Sequence, residues 1–185
     1  MVAVTDFLER QIETRQIFNG SIIKVCEDRV TLPSGKEARR EYIKHPGTVV
    51  IVALLDNGKL LFVRQFRYAH HKTFLELPAG RIDPGEKPLL AAKRELLEET
   101  GHVAAKWTPL TLIHPSIGYS DETAQIFVAT KLDYLGTEID QGELLEPTSL
   151  PLDGAISSIM NGTITDAKTI ATLFYTEHAL RSGML

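Results

Sequence analysis

Residues 94–101 read RELLEETG and put three glutamates, Glu95, Glu98 and Glu99, on little more than one helical turn. Glu95 and Glu99 are four apart and Glu98 is three from Glu95, so a helix gathers the carboxylates on one face. From Pro88 onward, Leu89, Leu90, Leu96 and Leu97 read as one apolar stripe and Gly101 as the terminator. This predicts a helix over 88–101 with the glutamates opposite the leucines. Glu98 and Glu99 fall in its last turn, where the backbone carbonyls already carry partial negative charge, at a cost of up to about 1 kcal/mol each. Arg94 reaches Glu98 at i,i+4, but one cation does not neutralise three carboxylates. A solvated acidic face carries such a cluster as well. A hard divalent cation relieves it, because oxygen ligands at this spacing suit Mg²⁺ or Mn²⁺.

Working outward, the first half of the chain reads as strands. "SIIKVCEDRVTL" is β-branched around a charged interruption at Glu27-Asp28-Arg29, "PSGK" supplies a turn, and "EARREYIKHPG" runs extended to Pro46 and Gly47, which predicts a long hairpin. "VVIVALL" and "LLFVRQFR" flank Asp56-Asn57-Gly58-Lys59 and predict a second hairpin forming the core. Short strands are expected at "FLELPAG", "TPLTLIH" and "TAQIFVA", and two further helices with caps near Asp153 and Asp166. With 185 residues, 43% hydrophobic and 24% charged, and no repeat or linker, the chain reads as one globular domain.

A formal charge of −4 gives no basic field for nucleic acid or an anionic membrane. The longest apolar run, Val49 to Leu55, is too short to span a bilayer. Asp6 interrupts any secretory pattern at the start, and Cys26, the sole cysteine, excludes an internal disulfide. These features predict a cytoplasmic protein. His70 and His71 lack a third neighbouring ligand for zinc, and Trp107 and Phe127 suit core strands better than a base-stacking platform.

The wider spacing decides what the acidic helix means. Gly80 is followed after five residues by Glu86, then after seven by Arg94-Glu95, then by Leu96, Glu98-Glu99 and Gly101. Leu96 aside, the other seven residues at roughly 7% usage each coincide by chance on the order of once in a hundred million starting positions. The pattern resembles the Nudix box, with one departure: His102 stands where an aliphatic residue usually closes it. "GKEARREYIKHPG", "VRQFR", "LELPAGRIDPGE", "HPSIGYSDE", "GELLEP" and "DAKTIATL" extend the likeness, in the order seen in ADP-ribose diphosphatases, and Pro115 holds the place of a proline that accompanies that specificity.

The resemblance implies an α/β (α+β) protein with the Nudix fold, mixed β-sheets sandwiched between helices, and an N-terminal antiparallel strand region. It implies residues 1–45 as strands exchanged in a homodimer and 46–185 as the Nudix hydrolase domain. The implied reaction is hydrolysis of ADP-ribose to AMP and ribose 5-phosphate, or of another nucleoside diphosphate sugar or dinucleotide. A non-catalytic ADP-ribose sensor is the remaining alternative, disfavoured by the intact acidic set. By the same resemblance Glu95, Glu99 and the Ala79 carbonyl hold Mg²⁺, with Mn²⁺ as a substitute, and Glu98 is a ligand directly or through water. Arg94 orients the carboxylates, Gly80 lets the loop approach closely, and Glu86 braces the loop. Glu143 becomes base, metal ligand or both, since Gln141 cannot accept a proton, with Glu146 in reserve. Arg40 and Glu41 serve the neighbouring subunit's site. Arg67 and Arg81 meet the diphosphate or terminal ribose, Gly118 binds substrate, Glu122 assists in metal or substrate placement, and Tyr119, beside Pro115, is placed to touch substrate.

Overall fold

The computed structural model describes residues 7–136 and 145–185. Contacts divide the chain into two compact units, one of Met1–His45 with Ser116–Glu122, the other of Pro46–Pro115 with Thr123–Leu185.

The first unit is an antiparallel sheet of β1 (Arg10–Asn19), β2 (Lys24–Thr31) and β3 (Glu37–Lys44), in that order. The pairing of β2 with β3 runs unbroken through Glu27, Asp28 and Arg29, so these charges do not interrupt the strand as the sequence suggested. Ladder hydrogen bonds tolerate charged residues where side chains find partners: Arg39 reaches Glu27, and Arg29 reaches Glu13 and Glu37. Cys26 and Val30 are buried, whereas β1 is exposed along its whole length. The 116–122 loop attaches at β3, where Ile43 donates to the Tyr119 carbonyl and Asp121 donates to that of Ile43.

In the second unit, β4 (Thr48–Ala53), β7 (Ala79–Arg81), β8 (His102–Ile113) and β9 (Ala124–Tyr134) form a mixed sheet in the order β7-β4-β9-β8. Only β4 and β9 run parallel. A second, antiparallel sheet has the order β10-β5-β6, from β10 (Leu145–Pro151), β5 (Lys59–Arg67) and β6 (Lys72–Glu76). The helices are α1 (Pro88–Thr100), α2 (Leu152–Met160) and α3 (Ala167–Arg181).

Every residue of β4 is buried because both faces are covered. Val49, Ile51 and Ala53 pack with Ala91, Ala92 and Leu96 of α1, and Val50 and Val52 join Phe62 of β5, Ala155 of α2 and Leu173 of α3. The expected hairpin at Asn57-Gly58 is corrected here. The turn forms, with Gly58 at φ 78° and Lys59 donating to Asn57 Oδ1, but a single bridge, Leu54 to Leu60, follows it before β4 and β5 diverge into different sheets. Both strands are too apolar to share one sheet face and water, so the turn passes the chain across the core instead.

Candidate active site

The acidic helix is built differently from its apparent leucine stripe. In α1 the buried residues are Ala91, Ala92, Leu96, Glu99 and Thr100, while Leu89, Leu90 and Leu97 are exposed. The small alanines let α1 lie close on β4, and that approach carries Glu99 into the interior at 4% exposure. The helix begins at Pro88, whose missing N–H costs nothing at that position, and ends at Gly101, left-handed at φ 70°, with its N–H on the Leu97 carbonyl.

A buried carboxylate must be hydrogen-bonded, and Glu99 Oε2 accepts from the Ala79 N–H at 3.0 Å. That loop is pinned on two further sides. Leu77 donates to Thr169 Oγ1 of α3 at 3.0 Å, and the Pro78 carbonyl accepts from Ile51 of β4 at 2.8 Å. Gly80, next in line, leaves no room for a side chain, since a Cβ there would overlap the Glu95 carboxyl group. The glycine therefore brings loop backbone against a glutamate.

Arg94 sits at the centre of the remaining acids. Its Nη1 donates to Glu95 at 2.7 Å and to Glu98 at 3.0 Å, while Nε and Nη2 hold Glu86 at 3.2 and 3.0 Å. Nη2 also donates to the Arg81 carbonyl at 3.0 Å, fastening the loop to the helix. The hydrogen bonds to Glu86 foremost, and then those to Glu95 and Glu98, raise the Arg94 pKa far above its ordinary value. The reciprocal effect holds Glu86 below the usual carboxylate range, with help from the Asp83 N–H. One guanidinium thus faces Glu86, Glu95 and Glu98, with Glu99 behind the loop.

Among the described residues, no group of three or more His, Cys, Asp or Glu side chains is gathered closely enough to hold a metal ion. Arg94 stands between Glu95 and Glu98, and Glu99 is turned to the Ala79 amide. In chemistry the donors fit a hard dication: they are oxygens, carry excess negative charge and lie against a loop backbone that Gly80 lets come close.

A second pair escaped the sequence reading. Arg67, at the end of β5, meets Glu76 of β6 through two hydrogen bonds of 2.8 and 2.6 Å. Glu76 is only 3% exposed. The Glu76 hydrogen bonds foremost raise the Arg67 pKa against the effect of burial, and the charges of Glu76, Glu99 and Asp166 add to this. The signal was present, an acid inside the apolar "FLELP" strand.

The other expected site residues are placed as follows. Arg81 closes β7 with an exposed side chain, and only its carbonyl takes part in the acidic network. Arg40, Glu41, Gly118 and Glu122 belong to the first unit. There Arg40 forms two hydrogen bonds to Glu9, which raise its pKa, Glu41 lies across from Glu27, and Glu122 donates its N–H to Ser120 Oγ. Glu143 lies outside the described residues, and Glu146 opposes Arg64 in the β10–β5 pair.

The NUDIX domain family matches residues 44–172, and the nucleoside diphosphate sugar hydrolase N-terminal domain matches residues 9–43. The chain is 39% identical to an ADP-ribose pyrophosphatase of Bacillus subtilis over 90% of this chain and 91% of that one. It is 36% identical to a methanol dehydrogenase activator of Bacillus methanolicus, over 91% and 92% of the two chains. An ADP-ribose pyrophosphatase of Mycobacterium tuberculosis is 34% identical over 93% of this chain and 84% of its own. Among solved structures, an ADP compounds hydrolase superposes with a TM-score of 0.85 at 24% identity, covering 95% of each chain, which is a likeness of fold. With the box residues gathered on α1 and the loop before it, and the domain match covering residues 44–172, the chain belongs to the Nudix family.

Proposed function

We propose that this chain hydrolyses the diphosphate bond of ADP-ribose, giving AMP and ribose 5-phosphate, with Mg²⁺ as cofactor and Mn²⁺ as a substitute. The observation that carries this reading is the packing of Glu95 and Glu99 against the Ala79–Gly80 backbone, where a side chain at position 80 has no space. The relatives named as ADP-ribose pyrophosphatases support the choice of substrate.

Glu95, Glu98, Glu99 and the Ala79 carbonyl would hold the cation, with Glu143 as a further candidate. When bound there, a divalent cation neutralises charge on the diphosphate and lowers the pKa of water. The chain's own residues do the rest. Arg94 keeps Glu95 and Glu98 in fixed rotamers through charge-assisted hydrogen bonds, and Glu86 fixes Arg94 in turn. Glu143 accepts the proton of the attacking water. Arg67 and Arg81 present positive charge to the diphosphate, while Gly118 and Glu122 form the substrate loop. Arg40 and Glu41 act across a homodimer in which residues 1–45 are exchanged. We assign the protein to the cytoplasm, acting on a small nucleotide and on neither nucleic acid nor membrane. Among the described residues, no helix is long and apolar enough to cross a membrane.

The N-terminal match to a nucleoside diphosphate sugar hydrolase domain favours one second reading, the same chemistry on another nucleoside diphosphate sugar. A panel of ADP-ribose, nucleoside diphosphate sugars and NADH, assayed with Mg²⁺ and followed by product analysis in ¹⁸O-labelled water, separates them. ADP-ribose must give the highest kcat/KM; a larger value for another sugar nucleotide replaces the first reading with the second.

A further inference from the structure

The segment Leu77-Pro78-Ala79, which leads into the box, is fastened to three different elements within three residues. Pro78 has no N–H, so the segment carries two backbone donors, and each ends on a side chain. Leu77 donates to Thr169 Oγ1 of α3 at 3.0 Å, and Ala79 donates to Glu99 Oε2 of α1 at 3.0 Å. The Pro78 carbonyl accepts from Ile51 of β4 at 2.8 Å. That last bond fixes which way Ala79 faces. Ala79 stands opposite Val50, and the flanking bond from Ile51 to Pro78 makes this a pair without mutual hydrogen bonds, so the N–H and C=O of Ala79 both point away from β4. β7 is an edge strand, and on its outer side Glu99 takes the Ala79 N–H. The Ala79 carbonyl faces that same side.

Of the three anchors, Thr169 alone comes from outside the box and the sheet. It lies 92 residues along the chain from Leu77, is 1% exposed, and sits on a helix that carries none of the box acids. Its own place is set by the cap: it is the third residue of α3, and its N–H donates to Asp166 Oδ2 at 2.9 Å. A chain of hydrogen bonds thus runs from the cap of α3 through Thr169 to the backbone two residues before Ala79. Leu77 is buried as well, so water cannot stand in for the hydroxyl. Without that hydroxyl the segment is held only at Pro78 and Ala79 and is free to turn about the bond to Ile51, which swings the Ala79 carbonyl. Groups that orient a metal ligand govern affinity for the ion almost as strongly as the ligand does.

We propose that Thr169 is a positioning residue for the cation site: by fixing Leu77, its hydroxyl aims the Ala79 carbonyl at the ion. The inference rests on the metal-dependent reading and goes beyond it by making α3 part of the apparatus that holds the cation.

Thr169→Val, Thr169→Ser and Thr172→Val test it. Valine matches threonine in shape and lacks the hydroxyl, whereas serine keeps it. Thr172 is a buried residue of the same helix whose hydroxyl has no hydrogen-bond partner among the described residues, so its exchange for valine controls for a disturbance of α3 as such. Electron paramagnetic resonance of free Mn²⁺ measures binding without turnover. Thr169→Val is expected to weaken Mn²⁺ binding by at least about tenfold, the scale of a lost orienting group. It also melts a few degrees lower, because a buried N–H loses its acceptor. Thr169→Ser and Thr172→Val bind Mn²⁺ as the wild type does. With ADP-ribose, the Mn²⁺ concentration for half-maximal activity rises in step in Thr169→Val, while KM at saturating Mn²⁺ does not move. A Thr169→Val protein that melts lower but binds Mn²⁺ like the wild type reduces Thr169 to a support of the fold and overturns the proposal, as does equal weakening in Thr172→Val. Should Thr169→Val fail to fold, the wild type decides alone. Titration with Mg²⁺ then shifts the backbone amide resonances of Leu77 and Thr169 together with those of Ala79 and Gly80; stationary Leu77 and Thr169 signals beside moving Ala79 and Gly80 signals overturn the proposal. Thr169-dependent Mn²⁺ binding with ADP-ribose left intact keeps the positioning role and removes the proposed reaction, whereas a wild type that binds no Mn²⁺ removes both.

Discussion

Arg67 and Glu76 lie on neighbouring strands and face each other through two parallel hydrogen bonds, 2.8 and 2.6 Å long, with Glu76 almost wholly removed from water. Replacing Arg67 by Met leaves a buried carboxylate without its cation, which in a dry interior costs about 3–5 kcal/mol. Because the Arg67 side chain is itself 40% exposed, water screens part of this, and a loss of about 2–3 kcal/mol is expected. Urea unfolding measures it. The double variant Arg67→Met with Glu76→Leu recovers part of the loss, since no lone charge remains. A single variant within about 0.5 kcal/mol of wild type removes the pair from the list of structural supports.

Gly80 separates fold from activity. A methyl group added there collides with the carboxyl end of Glu95, the far end of a side chain, which yields by leaving its hydrogen bond to Arg94 while the backbone stays in place. Gly80→Ala is therefore expected to melt within a few degrees of wild type, roughly the effect of 1 kcal/mol or less in a domain of this size. Turnover falls by at least about tenfold because Glu95 is displaced from the loop. Normal turnover with a displaced melting point is the opposite pattern and makes Gly80 a purely structural residue.

The features legible in the sequence were those set by local rules. The caps at Pro88, Gly101 and Asp166 mark α1 and α3 because they act within a turn of themselves. Asp153 looked like a cap for α2, but the helix starts at Leu152 after Pro151, and Asp153 falls in its first turn. Spacing made the box readable because its residues share one helix and the loop before it. Non-local choices were not readable. Nothing in "VVIVALL" says that β4 pairs in parallel with β9, 76 residues onward at Thr48 and Ala124, and not with the strand after the turn. The buried side of α1 followed its alanines, because close approach to β4 required small residues, and this turned Glu99 inward while most of the leucines stayed outside. Glu76 was missed for a similar reason: its partner, nine residues earlier, stands opposite Lys72 in the β5–β6 register, and only the long Arg67 side chain reaches along the ladder to Glu76.

Asp166 makes stability depend on acid. It caps α3 by accepting from the Thr169 N–H at 2.9 Å and pairs with Lys168. Burial alone would raise its pKa, but the Lys168 charge and the Thr169 hydrogen bonds outweigh it, so the carboxyl lies below its ordinary 3.8. A carboxylate depressed on folding stabilises fully above its unfolded pKa, and this contribution is lost as the pH falls through the lower folded value. The stability gap between wild type and Asp166→Ala is expected to be about 1 kcal/mol at pH 7, the worth of a helix cap, and to shrink only below about pH 3.8. Melting curves from pH 7 to pH 2.5 report it. A gap that is already closed at pH 5 contradicts the assignment.

Glu99 carries the sharpest test of the proposed chemistry, because its fold role and its charge can be parted. Its Oε2 accepts the Ala79 N–H, a bond that the amide oxygen of glutamine can also accept, so Glu99→Gln keeps the loop on the helix. The charge is what disappears. If that charge serves a divalent cation, kcat falls by at least about a hundredfold at saturating Mg²⁺, and the melting temperature rises less on adding Mg²⁺ than it does in the wild type. Chelation by EDTA abolishes wild-type turnover, and added Mg²⁺ or Mn²⁺ restores it. Circular dichroism confirms that the variant is folded before its rate is read. A folded Glu99→Gln enzyme with undiminished turnover would show that the buried carboxylate is there to hold Ala79 and has no part in the reaction.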